Sequence, residues 1–175
     1  MKYLPKGSGL CRDCLLYTSN LHDPFFYNLI RGFEYGAAET NYSVVFCSAV
    51  SGDEKSKEKY VRYLASGVTD GIILYGSYLS DEKIIEWLVE TNTDFVLIEN
   101  NMEPLHTNSL LIDNIGGAQK AVDYLYSRGH QLIAHISGNP NRKVSVDRFN
   151  GYLNSMHAHA LDIKPCLLYT SLPAR

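Results

Sequence analysis

Residues 110–152 read LLIDNIGGAQKAVDYLYSRGHQLIAHISGNPNRKVSVDRFNGY. The apolar run 110–112 predicts a short strand, which the polar pair Asp113-Asn114 ends. A helix is expected next, because apolar residues then recur at helical spacing. Residues 132–136 predict a second buried strand, and the segment from Asp147 predicts the start of another helix. Strands and helices that alternate in this way are typical of a parallel α/β sheet.

The same alternation extends towards the N-terminus. Asp23 precedes Pro24, a pair that is typical of a helix start, and further strands are expected at 42–48, 71–75 and 95–98. The unbroken apolar run at 71–75 is typical of a parallel strand that is buried on both faces. Right-handed crossovers between such strands predict a doubly wound parallel sheet. The side chains expected on the buried faces of the second and third helices are Tyr60, Val61, Leu64, Ile84, Ile85, Leu88 and Val89.

Three motifs within 110–152, DN-x-GGA, RGH before I-x-x-ISG, and DR-x-x-GY, resemble the effector domain of the lactose-repressor (LacI/GalR) family of bacterial transcription regulators. Upstream, NLHDPFF at 20–26 resembles the N-P-F-F turn of the family. VTDGIIL at 68–74 resembles its third strand, and FVLIE at 95–99 its fourth, where the family usually has Asp instead of Glu. The resemblance covers about residues 20–163. It implies a periplasmic-binding-protein-like type I fold, with two lobes hinged around a cleft.

The hexamer CLLYTS occurs twice, near each end of the chain. Repeat arrays have periods of about 20–50 residues and several copies, whereas this hexamer resembles a translated sequencing adapter. On this interpretation the DNA-binding head and most of the second lobe lie outside the chain, so we expect it to bind effector and operator weakly. The expected organisation is foreign sequence at 1–19 and 166–175, the N-terminal lobe at 20–130 and the start of the C-terminal lobe at 131–165.

Length and composition agree with one globular unit. The chain has 175 residues, 45% of them hydrophobic, and a net charge of −3, values that suit one ordinary domain. No basic cluster exceeds Arg142-Lys143, so this segment is not expected to hold nucleic acid itself. No apolar run approaches the roughly 18 residues of a membrane span, and no secretory leader is evident. We expect a cytoplasmic protein.

The sequence carries no signature of catalysis or of a cofactor. It has no G-x-G-x-x-G turn, phosphate-binding loop or nucleophile elbow. Cys11-x-x-Cys14 has the spacing of a redox pair or half a zinc site, but no second pair accompanies it. A lone strand cysteine, Cys47, is typical of a small core residue. His157 and His159 point apart on a helix. We expect no catalytic residue, no metal and no cofactor.

Candidate ligand-binding residues lie where the predicted strands end, because open α/β sheets bind ligands outside the carboxyl ends of their strands. Aromatic faces at the start of helix one suit a sugar or a nucleobase, and the guanidinium of Arg148 can hold two ligand oxygens. Phe26 also fits the core, Tyr75 also fits a cap of the sheet, and Arg148 also fits a salt bridge to Asp147 or to a glutamate at a helix start. The effector contacts that the resemblance implies are Leu21, Phe25, Phe26, Tyr75, Glu99 and Arg148.

Three classes of function stay open. The first is the effector-sensing domain of a transcription regulator, which binds a small molecule, a sugar more than a purine. The family resemblance implies a homodimer that contacts DNA through a helix-turn-helix outside this chain. The second is a sugar-binding receptor of an ABC transporter, which shares the two-lobed fold. The third, a flavodoxin-like enzyme or phosphoacceptor, requires an acidic or phosphate-binding turn after strand one, which residues 19–22 do not supply.

Overall fold

A computed structural model describes residues 12–18, 24–48, 54–76, 78–100, 102, 105 and 107–170. Its main feature is a sheet of five parallel strands in the order β2-β1-β3-β4-β5. Because β2 and β3 lie on opposite sides of β1, the winding reverses between β1 and β3 and leaves a crevice at the carboxyl ends of these strands. The predicted doubly wound sheet is confirmed. Its strands are β1 (Arg12–Thr18), β2 (Tyr42–Ser48), β3 (Gly71–Tyr75), β4 (Phe95–Ile98) and β5 (Ser109–Leu110).

Three helices connect the first four strands and cover the sheet. α1 (Pro24–Thr40) begins at the predicted proline, and α2 (Glu54–Ala65) and α3 (Glu82–Glu90) follow β2 and β3. The predictions that Tyr60 and Val89 lie in the core are wrong, since they are 48% and 39% exposed. Each adjoins a residue that faces the sheet, and one helical step turns a side chain away by about 100°. The buried side chains of this core are Val61, Leu64, Ile72, Leu74, Ile84, Ile85, Leu88 and Leu97.

A smaller unit follows the five-stranded sheet. It contains α4 (Asn114–Ser127), β6 (His135–Ser137), α5 (Lys143–Ala158) and β7 (Leu168–Thr170), and β6 pairs with β7 in parallel. β6 is shorter than the predicted strand, and α5 begins four residues before the predicted Asp147. The earlier start is stabilised by an ion pair one turn apart, Lys143 Nζ to Asp147 Oδ2 at 3.1 Å. The core of this unit is built from Val122, Ile133, Tyr152 and Met156.

The packing of α4 indicates where the first lobe ends and the second begins. α4 packs against α5, and its Val122 belongs to the core formed with Ile133 and with Tyr152 and Met156 of α5. In these terms the second lobe begins near Asp113, which differs from the boundary expected at residue 130. We propose that the boundary between the lobes, and with it the hinge, lies at the crossover from β5 to α4, in place of the expected boundary.

Both copies of the hexamer contribute to a sheet. The first copy falls largely within β1, the central strand on which β2 and β3 pair, and the second copy contains β7. An apolar hexamer with β-branched and aromatic residues can form a strand whatever its source. The foreign origin of the two ends therefore stays a prediction. In the part of the chain that the structure describes, no helix is both long and apolar enough to cross a membrane.

The core of the first lobe generates a stability prediction. Leu88 is fully buried and its neighbour Val89 is 39% exposed. Replacing Leu88 by Ala should lower the free energy of unfolding by about 2–5 kcal/mol, because it leaves a cavity. The matched change Val89→Ala should cost about 0.5 kcal/mol or less. Urea denaturation measures both, and equal losses would contradict the packing of α3 described above.

Candidate functional site

The crossover between the lobes is held by a capped helix start. The Oδ1 atom of Asp113 accepts a hydrogen bond from the backbone N–H of Gly116 at 2.8 Å, which caps α4. A Cβ atom at position 116 would overlap the carboxylate of Asp113 in its present position, so a larger residue at 116 would displace the capping carboxylate. The D-N-x-G part of the motif thus has a local structural reason. It fixes the direction in which the chain enters the second lobe.

The R-x-x-G-Y motif lies on α5 and packs this helix onto α4. A Cβ atom at position 151 would overlap the carbonyl oxygen of Ile115 and lie 2.9 Å from Cβ of Ala118. Glycine at 151 therefore lets α5 approach the first turn of α4 closely. The hydroxyl of Tyr152 donates to the carbonyl oxygen of Ile133 at 2.9 Å, and its burial raises its pKa. These two residues lock α5 against α4 and β6.

Arg148 is brought to the crossover by this packing. It lies one turn before Gly151 on α5, and its Nε–H donates to Oδ1 of Asn114 at 2.7 Å. Asn114 is buried and donates from Nδ2 to the carbonyl oxygen of Ile112 at 3.2 Å. The expected alternative, a salt bridge from Arg148 to Asp147, is not what the structure shows, because the Asp147 carboxylate pairs with Lys143. The guanidinium keeps its two terminal nitrogens for other partners.

Glu99 approaches the crossover from the first lobe. It follows β4 directly, is 7% exposed and has φ +60°, and its N–H donates to the carbonyl oxygen of Leu110 at 2.9 Å. A left-handed backbone at a non-glycine residue stores strain and occurs often at functional sites. Glu99 borders a cavity of about 400 Å³, which we name the Glu99 cavity. Its lining residues are Glu99, Leu111, Ile112, Asp113, Asn114, Ile115, Lys143, Val144 and Asp147.

Arg148 borders a second cavity of about 350 Å³, which we name the Arg148 cavity. The two cavities share residues 112–114, so they adjoin at the crossover. The structure therefore brings two of the predicted site residues, Glu99 and Arg148, to adjoining cavities at the crossover. The lining residues of the Arg148 cavity are Ile112, Asp113, Asn114, Gly117, Ala118, His135 and Arg148.

The Glu99 cavity has a predominantly acidic lining. It has three carboxylates, of Glu99, Asp113 and Asp147, and one ammonium group, of Lys143, which is paired with Asp147. The Arg148 cavity has one carboxylate, of Asp113, and one cation, of Arg148. Carboxylates accept hydrogen bonds and guanidinium groups donate them, so the combined lining suits a ligand with several hydroxyl groups. A carboxylate or phosphate ligand in the Glu99 cavity would meet like charge.

Two of the predicted aromatic contacts, Phe26 and Tyr75, lie apart from these cavities. Phe26 is fully buried and packs on Tyr75 with ring centroids 5.3 Å apart, in a cluster with Ile98. Both rings fill the space between α1 and the sheet, so neither borders the Glu99 cavity or the Arg148 cavity. Phe25 lies in the first turn of α1, and its side chain is outside the described part of the structure, as is residue Leu21. Ile98 belongs to the same cluster and directly precedes Glu99. The aromatic cluster therefore supports the end of the strand that carries Glu99.

His135 was not among the predicted site residues, although it borders the Arg148 cavity. Its ring packs on Tyr152 and Phe149 at 5.1 and 5.4 Å. Its Nε2 atom is buried with no hydrogen-bond partner among the described residues, and burial lowers the pKa of the imidazole. A histidine in an apolar strand carries no sequence signal that separates it from a core residue.

A second contact joins the lobes at the loops after β3 and β6. The N–H of Leu79 donates to the carbonyl oxygen of Asn141 at 3.0 Å, and Tyr78 forms an antiparallel bridge with Arg142. The guanidinium of Arg142 lies 5.4 Å from the centre of the Tyr78 ring. In the sequence, Arg142 is evident only as part of the basic pair Arg142-Lys143. Because the contact joins residues about 60 positions apart, local patterns cannot reveal it.

Several other titratable side chains within the described residues make local contacts. No group of three or more His, Cys, Asp or Glu side chains with metal-binding geometry occurs among the described residues. His159 contacts Asp123 at 2.8 Å and stacks on Tyr126. The pKa of Asp123 is lowered, most by the hydrogen bond from Ser155 and next by the one from His159. Cys47 is half-buried against the first core, and this burial raises its pKa.

Comparison with known proteins assigns the family. Residues 13–172 match the model of the family described as periplasmic binding proteins and sugar binding domain of LacI family. The chain belongs to this family. The match includes both copies of the hexamer in full. The family and the fold that the sequence motifs predicted are therefore confirmed.

The curated relatives of this LacI-family chain include transcription repressors. The HTH-type transcriptional repressor CytR of Escherichia coli is 29% identical over 170 residues, which are 93% of this chain and 49% of CytR. The HTH-type transcriptional regulator RegA of Clostridium saccharobutylicum is 32% identical over 151 residues, 86% of this chain and 45% of RegA. The chain therefore spans about half the length of the curated relatives it matches.

Solved structures share the fold of this LacI-family chain. The transcription regulator CcpA of Lactococcus lactis aligns with a TM-score of 0.79 and 22% identity, over 94% of this chain and 60% of CcpA. A complex of the transcriptional regulator CelR with cellobiose aligns with a TM-score of 0.76 and 25% identity, over 92% of this chain and 51% of CelR.

The contact between α4 and α5 yields a second stability prediction. Gly151→Ala should destabilise the chain by about 1–3 kcal/mol, because the added methyl group meets the backbone of Ile115. Gly32 is a matched control, since it lies in α1 and a Cβ there meets nothing within 4 Å. Gly32→Ala should stabilise by about 0.5–1 kcal/mol through helix propensity. Thermal unfolding distinguishes the two, and a stabilising Gly151→Ala would contradict the close approach.

The pKa of His135 yields a prediction of pH dependence. Its pKa is lower in the folded state than its ordinary value of about 6.5, so the unfolded chain binds more protons below that value. The stability linked to His135 is complete above about pH 6.5 and is lost as the pH falls through the folded pKa. His135→Phe should therefore lose less stability between about pH 7 and pH 5 than the parent chain. Chemical denaturation at several pH values measures this.

The control for that measurement is His130→Gln, which changes an exposed turn residue and should leave the pH dependence as it is. If His135→Phe and the parent chain lose stability in parallel on acidification, His135 does not lie in the environment described.

Proposed function

We propose that this chain is the effector-sensing part of a LacI-family transcription regulator and that its effector is a neutral, polyhydroxylated molecule such as a sugar. The observation that carries the proposal is the arrangement at the crossover. Glu99 from the first lobe and Arg148 from the second border adjoining cavities that share residues 112–114. A ligand that spans them contacts both lobes, so its binding can shift the equilibrium between lobe arrangements.

The chemistry of the lining supports a neutral ligand. The carboxylate of Asp113 already occupies the N-terminus of α4, a position that would otherwise attract an anion. Glu99 and Asp113 can accept hydrogen bonds from hydroxyl groups, and the terminal nitrogens of Arg148 can donate to hydroxyl oxygens. In this proposal Phe26 and Tyr75 support Glu99 from the core, and Phe25 and Leu21 stay candidate contacts. The cellobiose bound to CelR agrees with a sugar as effector.

The activity of the whole protein follows from its relatives as a proposal. CytR and RegA are HTH-type transcription regulators, so we propose that the full protein binds DNA through a helix-turn-helix head, acts as a homodimer in the cytoplasm and does not catalyse a reaction. A transporter receptor is not favoured, because these relatives are regulators of transcription. CytR and PurR relatives are repressors, which favours repression over activation.

Titration of the isotopically labelled chain with glucose and cellobiose, followed by NMR, tests the proposed effector. We expect the amide signals of Glu99, Asp113, Asn114 and Arg148 to move, at millimolar rather than micromolar sugar concentrations. Arg148→Lys should weaken the response at least about tenfold, because a lysine cannot present the same fork of donors. The matched control is Arg128→Lys at the end of α4, which should leave the response as it is. Shifts that are confined to other surfaces, or equal responses of both variants, would contradict the proposal.

A further inference from the structure

Asn114 is the only side chain within the described residues that hydrogen-bonds Arg148. The bond uses the single N–H of Nε, at 2.7 Å from Oδ1 of Asn114. Both polar atoms of the Asn114 side chain are engaged, because Oδ1 accepts from Arg148 and Nδ2 donates to the carbonyl oxygen of Ile112. The residue is also buried. The Arg148 side chain is exposed, so without this bond its long stem would sample several rotamers.

The engagement of Nε restricts how Arg148 can meet a ligand. A guanidinium group binds two oxygens either from the side, through Nε and one terminal nitrogen, or from the end, through its two terminal nitrogens. Here the side edge is taken by Asn114, so only the end edge is available. Two ligand oxygens on neighbouring atoms, as in a vicinal diol, match the spacing of that edge.

We propose that Asn114 is a positioning residue that presents the end edge of Arg148 to a vicinal diol of the effector. This inference rests on the proposed function for the identity of the ligand, but the geometry of the Asn114–Arg148 pair is independent of it. A carboxylate or phosphate could meet the same edge, but the carboxylates of Asp113 and Glu99 border these cavities and repel anions, whereas Asp147 is paired with Lys143. The neutral diol is therefore the favoured partner.

The pair also connects the ligand site to the hinge. Asn114 is the first residue of α4, and its amide holds the carbonyl oxygen of Ile112 in the crossover. A change in the crossover that moves Asn114 would thus turn the guanidinium of Arg148. This arrangement makes effector binding sensitive to the relative position of the lobes through one side chain.

The NMR signal of the Arg148 Nε–H group tests the positioning role without a ligand. We expect a signal that is separated from those of exposed arginines and exchanges slowly with water, assigned by its loss in Arg148→Lys. Asn114→Leu removes the acceptor at similar size and should return the signal to the position of an exposed arginine. Asn114→Asp retains the acceptor and should keep the signal separated. The matched control, Asn150→Leu, changes an exposed residue two positions after Arg148 on α5 and should have no effect.

Titration with cellobiose, sodium acetate and inorganic phosphate tests the ligand edge. In the parent chain we expect cellobiose to move the terminal guanidinium signals of Arg148 while the Nε–H signal stays in place. Asn114→Leu should weaken this response about tenfold, the loss of one hydrogen bond to a charged group, and Asn114→Asp should restore most of it. Asn150→Leu should respond as the parent chain does.

The outcomes separate the two proposals. An Nε–H signal that is the same in Asn114→Leu and the parent chain overturns the positioning role, whatever binds. A stronger response of Arg148 to phosphate or acetate than to cellobiose overturns the neutral diol. If no probe moves the signals of Arg148 or Glu99, the proposed effector class fails, while the Nε–H measurement still decides whether Asn114 positions Arg148.

Discussion

The approach of α5 to the first turn of α4 is the contact on which the site depends. Gly151 allows it, because any side chain at this position would overlap the backbone of Ile115. The approach places Arg148, one turn earlier on α5, within hydrogen-bond distance of Asn114. Without it, the guanidinium would extend from an isolated helix into solvent. The motif DR-x-x-GY thus combines one ligand-binding candidate with the two residues, Gly151 and Tyr152, that hold its helix in place.

Within the described residues, the crossover and a contact between loops both join the two lobes, and they differ in character. The crossover at residues 112–114 is a covalent connection that is also a wall of both cavities. The contact of Tyr78 with Arg142 joins loops at the carboxyl ends of β3 and β6. A cation above an aromatic ring and one backbone hydrogen bond contribute about 1–2 kcal/mol together. A contact of this size can form and break during lobe movement, whereas the crossover cannot.

Periodicity and motif order predicted the alternation of strands and helices, the start of α1 at Pro24 and the limits of β3 and β4, because these features arise from local sequence. They failed at Tyr60, Val89 and the start of α5, where one helical step or one turn changes the environment. For the candidate site, the positions of Glu99 and Arg148 followed from strand ends and from the R-x-x-G motif. The burial of Phe26 was one of two alternatives that the helical spacing left open. The partnership of Arg148 with Asn114 and the contact of Phe26 with Tyr75 did not follow from the sequence, since both depend on contacts between distant segments.

A crystal structure of the chain grown with cellobiose tests the central claim most directly, since it shows which residues a sugar contacts. We expect sugar oxygens to lie within hydrogen-bond distance of Arg148 and Asp113, in the Glu99 cavity and the Arg148 cavity. A further cavity of about 380 Å³ lies at the amino ends of β2, β3 and β4, beside Phe33, Thr40 and Asp94. Sugar bound in that cavity, with the hollows at the crossover empty, would contradict the account.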